Sequence, residues 1–234
     1  MKYYIIFVLL VLAGLQSCKK DGPNFTALAS LNVADAVVGG RNVKLNTNVR
    51  DSATLYSYKL FQVVAGETPI KLYPTNNPAA PYYDQVKTTV NGGIYSLFLT
   101  GTASAPESVF VKDEIPPFSQ DSIVRVRIVN CSVNSSALSL TLGSSPTVSV
   151  FTDIAYKTVS EFKSIELKTK LIVGGNVFQI RDSAGTLLAS YTLPATGLVS
   201  IASSRFKNIT LVIKGLSGTT SGSDAFGIYG MTNY

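Results

Sequence analysis

The sequence predicts an all-β protein made of two immunoglobulin-like or transthyretin-like antiparallel β-sandwich domains in tandem. Three observations carry that reading. Apolar residues recur with period two rather than at helical spacing, the alternating runs are short, and glycine or asparagine punctuates them. Many such strands closely spaced point to two antiparallel sheets packed face to face.

The chain opens with Lys2 and an apolar run over residues 3–15. That run is too short to span a bilayer comfortably, and a cation before it marks a secretory leader. Leu15-Gln16-Ser17-Cys18 resembles the lipobox of bacterial lipoproteins, which implies cleavage before Cys18, a diacylglycerol on its sulfur and acylation of the new amine. Several acyl chains on one cysteine anchor a protein durably, because each buried methylene contributes about 0.8 kcal/mol. Residues 1–17 are therefore expected to be a signal peptide and residues 18–24 a lipidated tether. Lys19-Lys20-Asp21 partly resembles the charged run that directs lipoproteins of the Bacteroidota to the outer face of the outer membrane.

Residues 25–112 and 121–234 are the expected domains, divided at residues 113–120. Pro116 and Pro117 cannot donate ladder hydrogen bonds and favour an extended linker. In the first half the alternation predicts strands at 27–33, 55–64, 70–73, 85–90 and 94–100. In the second it predicts them at 123–129, 137–142, 177–181, 187–193 and 209–214. The 123–129 strand places Val124, Val126 and Ile128 towards a core and Arg125 and Arg127 towards water. Asn91-Gly92-Gly93 and Ser183-Ala184-Gly185-Thr186 read as hairpin turns, since glycine supplies the positive φ that tight turns need. Residues 28–46 echo 124–142, and 95–101 echo 209–215, as diverged copies would.

Residues 121–218 resemble a known family, domain of unknown function 4397. The resemblance rests on Ile128-Val129-Asn130, on Leu138-Ser139-Leu140, on the 209–215 strand ending in glycine, and above all on Tyr156-Lys157-Thr158-Val159-Ser160-Glu161-Phe162. The chain departs from the family where Cys131 to Ser136 replaces its proline-rich loop. The resemblance implies a secreted or surface sandwich domain without established catalytic residues.

The chemistry available narrows the function. There is no histidine, which removes histidine-based catalytic triads and the commonest transition-metal ligand. Cys131 has no disulfide partner once Cys18 is acylated and reads as a small buried hydrophobe. Asp113-Glu114 is the only adjacent acidic pair and reads as solvated linker. Removing Lys2 from the 20 basic residues leaves 19 against 14 acidic, and the bases are scattered, so nucleic acid is not an expected partner. No catalytic residue, metal or cofactor is expected.

The remaining candidate sites are few. Tyr82 and Tyr83, after a proline-bounded loop, could stack on a ligand, and the packed alternative sends Tyr83 inward from the start of a strand and leaves Tyr82 on the surface. Asp51-Ser52-Ala53, Asp121-Ser122-Ile123 and Asp182-Ser183-Ala184 resemble an O-glycosylation sequon, which makes Ser52, Ser122 and Ser183 acceptor candidates; Asp-Ser is also a turn dipeptide. The expected function is a non-enzymatic, lipid-anchored cell-envelope protein acting in adhesion or protein interaction. The alternative is a carbohydrate-binding accessory lipoprotein of a nutrient-uptake system.

Overall fold

The computed structural model describes residues 25–117, 123–166, 177–193 and 207–233, and these contain strands and turns but no helix. The first domain contributes β1 (Leu28–Asp35), β2 (Val43–Leu45), β3 (Asn48–Ala53), β4 (Tyr58–Val64), β5 (Gly66–Pro74), β6 (Tyr83–Thr89), β7 (Ile94–Thr102) and β8 (Ala105–Lys112). The second contributes β9 (Ile123–Asn130), β10 (Leu138–Leu142), β11 (Ser145–Ile154), β12 (Lys163–Glu166), β13 (Val177–Arg181), β14 (Leu187–Thr192), β15 (Asn208–Lys214) and β16 (Gly227–Asn233).

Sheet order shows that the halves are copies. The first domain pairs its strands as β4-β1-β7-β8 and β3-β2-β5-β6, and the second as β12-β9-β15-β16 and β11-β10-β13-β14. Adding eight to each strand number converts one pair of sheets into the other. In an immunoglobulin sandwich the first two strands share a sheet. Here β1 and β2 lie in different sheets, which leaves the transthyretin-like arrangement of the two expected. The sheets are not purely antiparallel: β1 runs parallel to β7, and β9 runs parallel to β15.

Local details repeat as well. Asp35 and Asn130 each cap the backbone two residues on, at Val37 and Ser132. Tyr56 and Lys157 both hold the left-handed conformation, at φ 58° and 63°, and donate their N–H to the carbonyls of Asp35 and Asn130. Gly101 and Gly215 share φ 77°. A Cβ on Gly101 would lie 2.4 Å from the Ala105 carbonyl, so only glycine fits that close approach.

Each sandwich has its own core. Leu31, Val33, Leu45, Phe61, Leu72 and Leu97 centre the first; Val126, Ile128, Leu140, Phe178, Ile180 and Leu211 centre the second. The sheets holding β1 and β9 are also covered on their other faces, by each other. Ala34, Ala36 and Phe98 form a third cluster with Val129, Cys131, Val212 and Met231. Along β7, Tyr95, Leu97 and Leu99 enter the first core, while Ser96, Phe98 and Thr100 are buried on the opposite side. The molecule is thus a stack of four sheets, with these two inside.

This contact corrects three expectations. Arg127 does not face water: it is buried, its Nη2 lies 2.7 Å from the Asp113 carboxylate, and its Nε donates to Thr210 at 2.7 Å. Its guanidinium also lies against the rings of Phe98 and Phe162. Asp113 is accordingly no solvated linker residue, for it is buried and accepts a 2.7 Å hydrogen bond from Ser96. Burial pushes its carboxyl upward, and Arg127 opposes that push. Asn91-Gly92-Gly93 makes no hairpin, because β6 and β7 belong to different sheets; the turn carries the chain from one sheet to the other. The turn at Ser183 does close a hairpin, between β13 and β14.

A buried ion pair stripped of one partner destabilises by about 3–5 kcal/mol, whereas apolar replacement of both is close to neutral. Arg127→Met alone is expected to lower the urea midpoint markedly, and Arg127→Met with Asp113→Leu to restore most of it. A double-variant loss equal to the sum of the Arg127→Met and Asp113→Leu losses would show that the pair is not coupled.

Candidate functional site

A cleft of about 490 Å³ lies between the domains, lined by Gly39, Gly40, Arg41 and Asn42 of one and Ser223 and Asp224 of the other. The β1–β2 connection brings the first group there. Gly39 turns at φ 67°, and a Cβ on Gly40 would meet the Val37 carbonyl at 2.7 Å. Opposite, Asp224 accepts a hydrogen bond from the Gly39 N–H at 3.1 Å and one from the Tyr56 hydroxyl. Burial and that carboxylate push the Tyr56 hydroxyl well above its ordinary range. Lys214 lies 4.2 Å from the Tyr56 ring centroid and donates to the Ala225 carbonyl at 2.9 Å. Its amine is lowered by burial, against the pull of Asp224. Arg41 is exposed at the rim and has no ion-pair partner among the described residues.

A second cluster ties the domains together. Glu107 on β8 pairs with Lys157 at 2.5 Å and accepts from the Tyr156 hydroxyl at 3.2 Å. Lys157 is the chief cause of a lowered Glu107 carboxyl. The Thr100 hydroxyl donates to the Cys131 carbonyl at 2.7 Å. Tyr156 to Phe162, the segment that carries the family resemblance, therefore does structural work. Tyr156 and Lys157 reach Glu107, Val159 packs on the interface cluster, and Phe162 faces Arg127.

Asp35 is the least expected group. Its side chain is buried at the end of β1, Oδ1 accepts the Val37 N–H at 3.2 Å, and Oδ2 has no partner. Burial drives its pKa up to about 7, opposed by the Val37 hydrogen bond. Asn130, its counterpart, donates instead to Ser135 and to the Ile154 carbonyl.

The sequence candidates fall as follows. Tyr82 and Tyr83 are both buried in the first core, which corrects the surface position expected for Tyr82 and leaves neither ring a free face for stacking. Burial pushes the Tyr83 hydroxyl up to about 12. Ser183 lies exposed in its turn, whereas Ser52 is half-buried within β3 rather than in a turn. Cys18 and Ser122 lie outside the described residues. Cys131 is fully buried, its thiol pushed up to about 12 by burial. Sequence reasoning missed Arg41, Tyr56, Lys214 and Asp224, since only the docked domains bring them together. Neither the family models nor the curated proteins compared with this chain give a match.

Because the folded state holds a proton on Asp35 up to about pH 7, while a free carboxyl releases it near 4, stability is greatest below that lower value. It falls as pH rises towards 7. Asp35→Asn, copying the second repeat, is expected to flatten this fall and to raise stability at pH 8 by up to about 4 kcal/mol. Denaturant titrations at pH 4 and pH 8 check it; an unchanged slope would show that Asp35 is ionised throughout.

Proposed function

We propose that this chain is a non-enzymatic, lipid-anchored protein of the bacterial outer membrane, displayed at the surface as an adhesion or protein-interaction module. The observation that carries the reading is the locking of two sandwiches into one body through a buried third cluster. An anchored body of this kind presents loops and outer sheets to a partner without ordering a hinge first. The nine residues from Lys19 to Ala27 reach at most about 30 Å when extended, which keeps that body near the membrane. Membership of the family that residues 121–218 resemble belongs to the same proposal.

A carbohydrate-binding accessory role is the second reading. It is favoured by the grooves on the outer sheet of the second domain, whose linings include serine, threonine, aspartate and arginine side chains.

In the native host, Cys18→Ala is expected to abolish labelling by a fatty-acid analogue and to move the protein from the membrane to the soluble fraction. Labelling that persists in the variant would overturn the anchor. Cells carrying the intact protein should adhere to a host matrix or neighbouring cells better than cells lacking it. Equal adhesion would overturn the adhesive role.

A further inference from the structure

Two grooves flank the turn between β13 and β14. One, of about 550 Å³, is lined by residues including Thr141, Thr147, Ser149 and Arg181. The other, of about 310 Å³, includes Thr152 and Asp153, and the two share Ser139, Asp182 and Ser183. Both lie against β10 and β11, whose pairing shifts register at three points. Irregular pairing of this kind opens a sheet edge and re-aims side chains.

Arg181 is fixed before any ligand arrives. Its Nε donates to Thr141 at 3.2 Å, Nη1 to the Gly185 carbonyl at 2.7 Å and Nη2 to Gln179 at 2.7 Å. A guanidinium has five N–H donors, so this half-buried group keeps two for a ligand. The hydroxyls of Thr147 and Ser149 have no partner among the described residues and lie on the exposed edge strand. Asp182 is held by the Ala184 and Thr186 N–H groups at 2.9 and 2.8 Å, and the Asp153 carboxylate makes no hydrogen bond or ion pair among the described residues.

The charge balance narrows the ligand. The larger groove sets the Asp182 carboxylate against Arg181, and the smaller one holds Asp153 and Asp182, so neither groove offers an anion an excess of positive charge among its lining residues. Free hydroxyls, fixed N–H donors and carboxylate acceptors together match a neutral molecule rich in hydroxyl groups. We infer that the grooves beside the β13–β14 turn bind a neutral saccharide, with Arg181 donating to ring or hydroxyl oxygens and Asp153 accepting from hydroxyls. Ser183 borders both grooves, so a glycan attached there would compete for the site. The inference rests on reading the chain as a binding module and gives that module a ligand class.

The test is an array of neutral, amino-bearing and acidic oligosaccharides probed with the full acylated chain in detergent. The expected result is retention of neutral members. Arg181→Lys keeps the charge but loses the planar fork, and Ser149→Tyr fills the groove from an exposed position. Each should weaken binding about tenfold, the equivalent of one good hydrogen bond to a charged group. Retention of acidic members alone, of none, or of neutral members with both variants undiminished would overturn the saccharide site. Adhesion of cells that persists when the array is blank would overturn the saccharide site while leaving the module; loss of both would overturn the module too.

Discussion

The central strands of the two inner sheets have to be covered on both faces, and this requirement organises the rest of the molecule. β7 and β15 are buried on both faces over most of their length. Strands of that kind need a second apolar face against them, so the centres of the β1 and β9 sheets are covered by each other. Covering both faces of a sheet is the ordinary condition of strands that pair in parallel. The parallel pairs β1–β7 and β9–β15 sit at the centre of this stack. The covering is completed by polar groups that find partners only across the contact, as with Thr100 and the Cys131 carbonyl.

The contact is nearly symmetric, and its departures from symmetry are informative. In each copy a left-handed residue in the turn before β4 or β12 reaches an acid near the final hairpin of the other: Tyr56 to Asp224, and Lys157 to Glu107. Self-complementary pairing of this kind is what two-fold packing of identical units produces. Divergence then shows where one copy changed. Arg127 stands where the first copy has Asn32, and only the arginine crosses to the other domain, while the Asn32 amide is buried without a hydrogen bond. Asp35 stands where the second copy has Asn130. An acid replacing an amide in a buried site is destabilising unless another property is selected, so Asp35, whose carbonyl meets the Tyr229 hydroxyl, is the part of the contact least explained by packing alone.

Period-two alternation made the strands legible wherever one face met water or a core of standard type, as in β9, β10 and β13. The strands that went unread, β2, β3, β8, β11, β12 and β16, are short, polar or at sheet edges. Ser145–Ile154 alternates hydroxyls at 145, 147 and 149 with apolar residues at 146, 148 and 150, but it is short of large side chains and its first five residues are all exposed, so no core face stands out. The continuous runs Leu97-Phe98-Leu99 and Leu211-Val212-Ile213 did hold a signal: three consecutive apolar residues cannot all face one core, and that foretells a second buried face. Arg127 could not be read this way. Alternation of charge with valine looks the same whether the charge meets water or a buried carboxylate, and the identity of its partner, Asp113, depends on how the domains dock. Tyr82 and Tyr83 looked loop-borne in sequence because a proline-bounded loop precedes them, though both rings enter the first core, Tyr83 at the start of β6 and Tyr82 just before it.

Rigidity also bears on what the grooves of the second domain can do. A tethered chain whose halves moved freely would have to lose that freedom on engaging a ligand, and binding would be weakened by the corresponding entropy. Here the ion pair, the shared apolar cluster and the Glu107–Lys157 and Tyr56–Asp224 contacts hold the halves together before binding. Sheets pack about 10 Å apart, so the outer sheet of the second domain stands about three spacings from the outer sheet of the first. β1, the first strand of the chain, belongs to the inner pair. The grooves beside the β13–β14 turn therefore lie on a face of the stack that the first domain does not cover. A weak, hydroxyl-rich site gains most from such mounting, because shallow polar recognition has little binding energy to spend on ordering its own scaffold.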